Sequence, residues 1–118
     1  MALNYAPGDD LVFQMESGFG LLRVLASEGE GHGAVWHLLV YCEFYADVES
    51  AEAALASGRP LAVREPHLAL TEHAFEKTPA ARLTNRPVTE EELEPVRRWR
   101  ESGGPVHDRS LLLMLGMR

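Results

Sequence analysis

Gly8-Asp9-Asp10-Leu11-Val12-Phe13-Gln14-Met15-Glu16-Ser17-Gly18-Phe19-Gly20-Leu21-Leu22-Arg23-Val24-Leu25 is the stretch that decides the fold. Leu11, Phe13 and Met15 alternate with Val12, Gln14 and Glu16, the period-two pattern of a half-buried strand. Ser17-Gly18 supplies a tight turn, because glycine tolerates positive φ. Phe19 to Ala26 is the return strand. Asp9-Asp10 reads as a solvated turn leading into the first strand. An antiparallel hairpin at the start predicts a small curled β-domain, an architecture that more often binds than transforms.

Downstream, Glu28-Gly29-Glu30-Gly31-His32-Gly33 is a polar glycine-rich loop. It is followed by no Lys-Ser/Thr and opens no helix, so it is not a phosphate cradle. Ala34 to Ala46 carries the strongest strand signal. One face holds Trp36, Leu38, Val40, Cys42 and Phe44, and predicts core, with Cys42 as a small buried hydrophobe. The other holds Val35, His37, Leu39, Tyr41, Glu43 and Tyr45, and is more polar. Asp47 to Ser57 reads as a short helix, capped by Asp47 or Ser50 and ended by Gly58 and Pro60. Arg59 to Phe75 is expected to be extended, with Pro66 marking an edge or a bulge. Lys77 to Pro87 looks irregular.

Thr89-Glu90-Glu91-Glu92 is a capping box, and Val88 with Leu93 provides a hydrophobic staple. Leu93, Val96 and Trp99 then form one apolar helical stripe. Pro95 inside it predicts a kink or a restart, and Gly103-Gly104-Pro105 ends it. Leu111 to Leu115 reads as a last strand. The expectation is one α+β domain over residues 1–118: a strongly bent antiparallel sheet of five or six strands, or a small SH3-like barrel, with two helices.

The 118 residues include 46% hydrophobic and 25% charged side chains, ordinary for a soluble globular chain. Eleven basic against eighteen acidic residues give a net charge of -7. Such a surface repels phosphate backbones, which argues against nucleic acid; it either keeps the chain soluble and nothing more or favours a basic protein partner. The dense basic cluster, Arg97, Arg98 and Arg100, is preceded by four glutamates. The single cysteine permits no internal disulfide, consistent with a reducing compartment. The start of the chain lacks a charged n-region and an apolar h-region, and Leu111–Gly116 is too short for a bilayer. A cytoplasmic protein with no membrane contact is expected.

Catalytic signatures are missing. No serine lies in a Gly-x-Ser-x-Gly elbow, and Cys42 on an apolar face would be inert. The five histidines show no i, i+4 pair and there is no Cys-x-x-Cys. His67 and His73 would share a face of a regular strand, and with a carboxylate they form the alternative reading, a small enzyme or metal-binding protein. No cofactor is implied. The leading expectation is a non-enzymatic protein-binding module whose contact face carries His37, Tyr41, Glu43 and Tyr45, since tyrosine joins apolar area to a polar tip. A homodimer closed through the same face is the third reading.

The opening hairpin also resembles the immunity protein twenty-six family of bacterial polymorphic-toxin systems. Gly8-Asp9 and Arg23-Val24 match that family's pattern, with Asp10 inserted, and the likeness covers about the first quarter of the chain. The resemblance implies a protein without catalysis that binds and neutralises a toxin, often a nuclease. An acidic surface suits such a basic partner.

Overall fold

The computed structural model describes residues 3–116. Five strands, β1 (Asp9–Met15), β2 (Gly18–Glu28), β3 (Val35–Tyr45), β4 (Val63–Thr71) and β5 (Ala80–Asn85), form one sheet in the order β4-β3-β2-β1-β5. Every pairing is antiparallel, so the α+β class holds. The two edge strands do not meet, and the sheet is open rather than an SH3-like barrel. Among the described residues four α-helices accompany it where two helices were expected: α1 (Val48–Ala56), α2 (Glu72–Glu76), α3 (Glu90–Ser102) and α4 (Leu111–Met114).

Both faces of the sheet are covered. On one, Leu11, Phe13, Leu22, Val24, Trp36, Leu38 and Val40 pack with Phe75 of α2 and Leu111 of α4. On the other, Val12, Leu21, Leu25, Leu39 and Tyr41 pack with Ala51 of α1 and Val96 of α3. Two cores thus share one sheet, and β1, β2 and β3 contribute to both because successive side chains alternate. The hairpin pairs Met15 with Gly18. Phe13 lies so close over Gly20 that a Cβ there would sit 2.4 Å from the ring.

Helix ends follow the sequence signals. The Ser50 N–H donates to Asp47 Oδ1 at 2.7 Å, so Asp47 is the cap of α1. Thr89 and Glu92 make the full capping box of α3, and Gly103 closes that helix in the left-handed conformation at φ 65°. The helix runs through Pro95 without ending.

Four expectations need correction. The segment read as irregular contains β5, which pairs with β1. The extended reading of 59–75 breaks after Thr71, whose hydroxyl accepts from the Ala74 N–H at 3.1 Å and starts α2. Leu111 to Met114 is a helical turn and not a strand. Ser110 caps it, and the backbone of His107 has already bonded to Ala69 and Thr71 at the edge of β4. Cys42 and Phe44 are exposed, Phe44 to 50%, because β3 runs past the layer that covers Trp36, Leu38 and Val40.

Candidate functional site

Asp9 and Asp10 are wholly buried, not a solvated turn. Arg86 grips Asp10 with two N–H groups, Nε to Oδ2 at 2.7 Å and Nη2 to Oδ1 at 3.1 Å. Arg23, itself 2% exposed, stands 3.4 Å from the same carboxylate. Its remaining N–H groups donate to the carbonyls of Gly8, Arg86 and Pro87 and to Glu92. The Arg86 guanidinium is held far above its ordinary range, chiefly by its bonds to Asp10. Asn85 and Arg82 reach Asp9 at 2.8 Å and 3.5 Å. Every charge here has a partner, as burial demands. The cluster fastens the segment between β5 and α3 to the first hairpin, and Arg23 has no bond left for a ligand.

A second cluster sits beneath α3. His37 is fully buried, and its Nδ1 lies 2.8 Å from His67 Nε2 with the rings stacked 5.0 Å apart. Trp99 covers His37 edge-on at 4.7 Å. Glu28, which is bonded to Arg100, stands 3.5 Å from His37 Nε2 but leaves that atom without a hydrogen bond. A neutral His37 that carries its proton on Nε2 accepts at Nδ1 from His67 Nε2–H, which satisfies the contact between the two rings. Burial lowers the basicity of both rings, with Glu28 partly opposing it at His37, and His67 falls to about 4. His73 lies away from this pair, exposed on α2, so the expected His67–His73 arrangement does not form. Among the described residues no group of three or more His, Cys, Asp or Glu side chains is placed to hold a metal ion.

Beside the Arg86 cluster lies a cleft of about 560 Å³. Its walls are the segment after α1 (Gly58, Arg59, Pro60, Leu61), the start of β4, and the first turns of α3. Leu39, Leu55, Leu61, Val63 and four prolines make it mainly apolar, while Tyr41, Arg59, Arg86 and Glu91 add polar groups. Tyr41 is only 7% exposed. Its hydroxyl accepts from Arg86 Nη2 at 3.4 Å and donates to no acceptor among the described residues. Burial, then the nearby Asp10 charge, raises the Tyr41 phenol above its usual range, so it keeps its proton.

The four residues expected to form one contact face are therefore dispersed. Tyr41 borders the cleft. Glu43 is exposed and accepts from the Tyr45 hydroxyl at 3.4 Å, with Tyr45 half-buried. His37 is sealed beneath Trp99 and does not reach solvent. Arg59, Leu61, Arg86 and Pro95 were missed, since a cleft built from separated segments leaves no local motif. No helix among the described residues is long and apolar enough to cross a membrane. No family model, curated protein or solved structure matches the chain.

Proposed function

We propose that the protein is a non-enzymatic protein-binding domain that receives a segment of its partner in the Tyr41 cleft. The observation that carries this reading is the cleft itself. Its 560 Å³ lies within the usual range for binding sites, and its apolar walls converge on a few polar groups. Glu43 is exposed and bonded to Tyr45, which packs on the same core as Tyr41, and it extends the contact beyond the cleft. The net charge of -7 favours a partner that is basic over most of its surface. The resemblance of the first hairpin makes neutralisation of a toxin the form this binding would take.

Paired affinity capture tests the reading, with wild type and a Leu61→Arg variant as baits in lysate of the native host. Leu61 lines the cleft and is only partly buried at the margin of the second core, so the substitution blocks the site while leaving the fully buried core residues in place. The expected result is one protein retained by wild type and lost from a folded Leu61→Arg bait. Equal retention by both baits would remove the cleft from the contact.

A further inference from the structure

We infer that the cleft is built to take the carboxyl terminus of a protein chain whose last residue is apolar. This rests on the protein-binding reading and names the chemical group that anchors the partner. The first support is the buried phenol. Tyr41 is more than nine-tenths buried, lines the cleft, and has a hydroxyl proton with no acceptor among the described residues. The hydroxyl already accepts from Arg86, so its own proton remains to be donated to a ligand oxygen.

The second support is the arrangement of cations. Asp10 occupies Nε and Nη2 of Arg86, and Nη1 has no acceptor among the described residues. Arg59 on the same cleft makes no ion pair among the described residues, and it is exposed. The Tyr41 hydroxyl, the Nη1 group of the Asp10-paired Arg86 and the unpaired Arg59 therefore have donor capacity left on a single, mainly apolar cleft. That set matches a carboxylate, which accepts several hydrogen bonds at once.

The third support is the opposite polarity on α3. Pro95 has no N–H to offer the Glu91 carbonyl, its usual helical partner, and both residues line the cleft. Glu91 also brings an exposed carboxylate. The Glu91 carboxylate suits a backbone N–H upstream of the terminal residue and disfavours a ligand that is anionic throughout. A chain terminus places a carboxylate, an apolar side chain and a backbone N–H on one carbon.

The test uses two N-acetylated tetrapeptides, Ala-Ala-Ala-Leu as the free acid and as its C-terminal amide. Each is titrated into isotope-labelled protein and followed by NMR. The free acid should shift the backbone signals of Tyr41, Leu61 and Arg86 and bind at least about tenfold more tightly than the amide, the loss expected for a charged hydrogen bond. Tyr41→Phe and Arg59→Gln, which remove a hydroxyl and an exposed cation, should each weaken the acid and leave the amide unchanged. Equal affinity of acid and amide, shifts confined to other surfaces, or variants that bind the acid normally would each overturn the inference.

A captured partner separates this inference from the one beneath it. A partner that depends on the cleft but still binds when further residues are fused after its last one, so that its own terminal carboxylate is gone, defeats the carboxylate anchor alone. A partner indifferent to Leu61→Arg defeats the cleft reading whatever the peptides do.

Discussion

Arg23 makes more side-chain hydrogen bonds than any other of the described residues. It lies within the apolar run Leu21-Leu22-Arg23-Val24-Leu25, and a charge embedded in such a run is itself a signal of a buried ion pair. Its acidic partner Asp10 was equally visible, but the sequence does not say that both are inside, because pairing across the hairpin decides it. Replacing Arg23 by Met would strand Asp10 on Arg86 alone and leave the carbonyls of Arg86 and Pro87 without a partner, while that of Gly8 keeps the Arg86 N–H. The expected loss is roughly 3–5 kcal/mol, read from urea unfolding, against less than about 0.5 kcal/mol for the exposed Arg98→Met. A loss near that of Arg98→Met would mean the cluster is dispensable. The His37–His67 pair makes a separate prediction. Both rings are less basic folded than unfolded, so the unfolded chain binds more protons as pH drops. The pair's contribution is full above about 6.5 and lost as pH falls towards about 4. Thermal midpoints should fall across that window, and less steeply in His67→Gln. An identical slope in the variant would assign the pH dependence elsewhere.

Elements were legible where their information is local. The α3 helix carries its own start, stripe and stop, and the capping box appeared as read. It also does more than cap, since Glu92 bonds both Thr89 and Arg23 and so joins the helix start to the sheet. Burial opposes ionisation of Glu92, yet the Thr89 N–H and the Arg23 guanidinium hold its carboxyl below its usual range. Thr89→Ala should therefore cost about 1–2 kcal/mol, at the upper end for a cap, while Asp47→Ala on α1 costs no more than about 1. Denaturant midpoints measured side by side decide it, and a larger loss at Asp47 would break the argument. The elements that escaped reading are those whose cause is distant. Helices α2 and α4 span five and four residues, too few to display a period. Strand β5 has few buried side chains and exists because β1 offers it an edge. Cys42 was misread because alternation tells which residues share a face and not where the covering layer stops.

At the scale of the whole molecule, the radius of gyration of 13.4 Å is close to the roughly 13.5 Å expected for a compact chain of this length. That compactness is reached with two thin cores on one sheet. Each of the two tryptophans reports a different side. Trp36 is packed with Tyr5 and Phe75 on the face covered by α2 and α4, and Trp99 rides on α3 over the histidine pair. Strands β1 to β3 send alternate side chains into both cores, so neither layer can dissolve without exposing the reverse side of the same backbone. Unfolding should be a single cooperative step. Single-tryptophan variants, Trp36→Phe and Trp99→Phe, allow each face to be followed by fluorescence in urea and compared with far-ultraviolet circular dichroism of the same variant. In each variant the two probes should report the same midpoint and slope. If instead the Trp99 signal changes before the circular dichroism does, α3 leaves the sheet as a separate unit. The cleft, which α3 walls on one side, would then be a site that opens rather than one that is preformed, and the peptide affinities would have to include the cost of closing it.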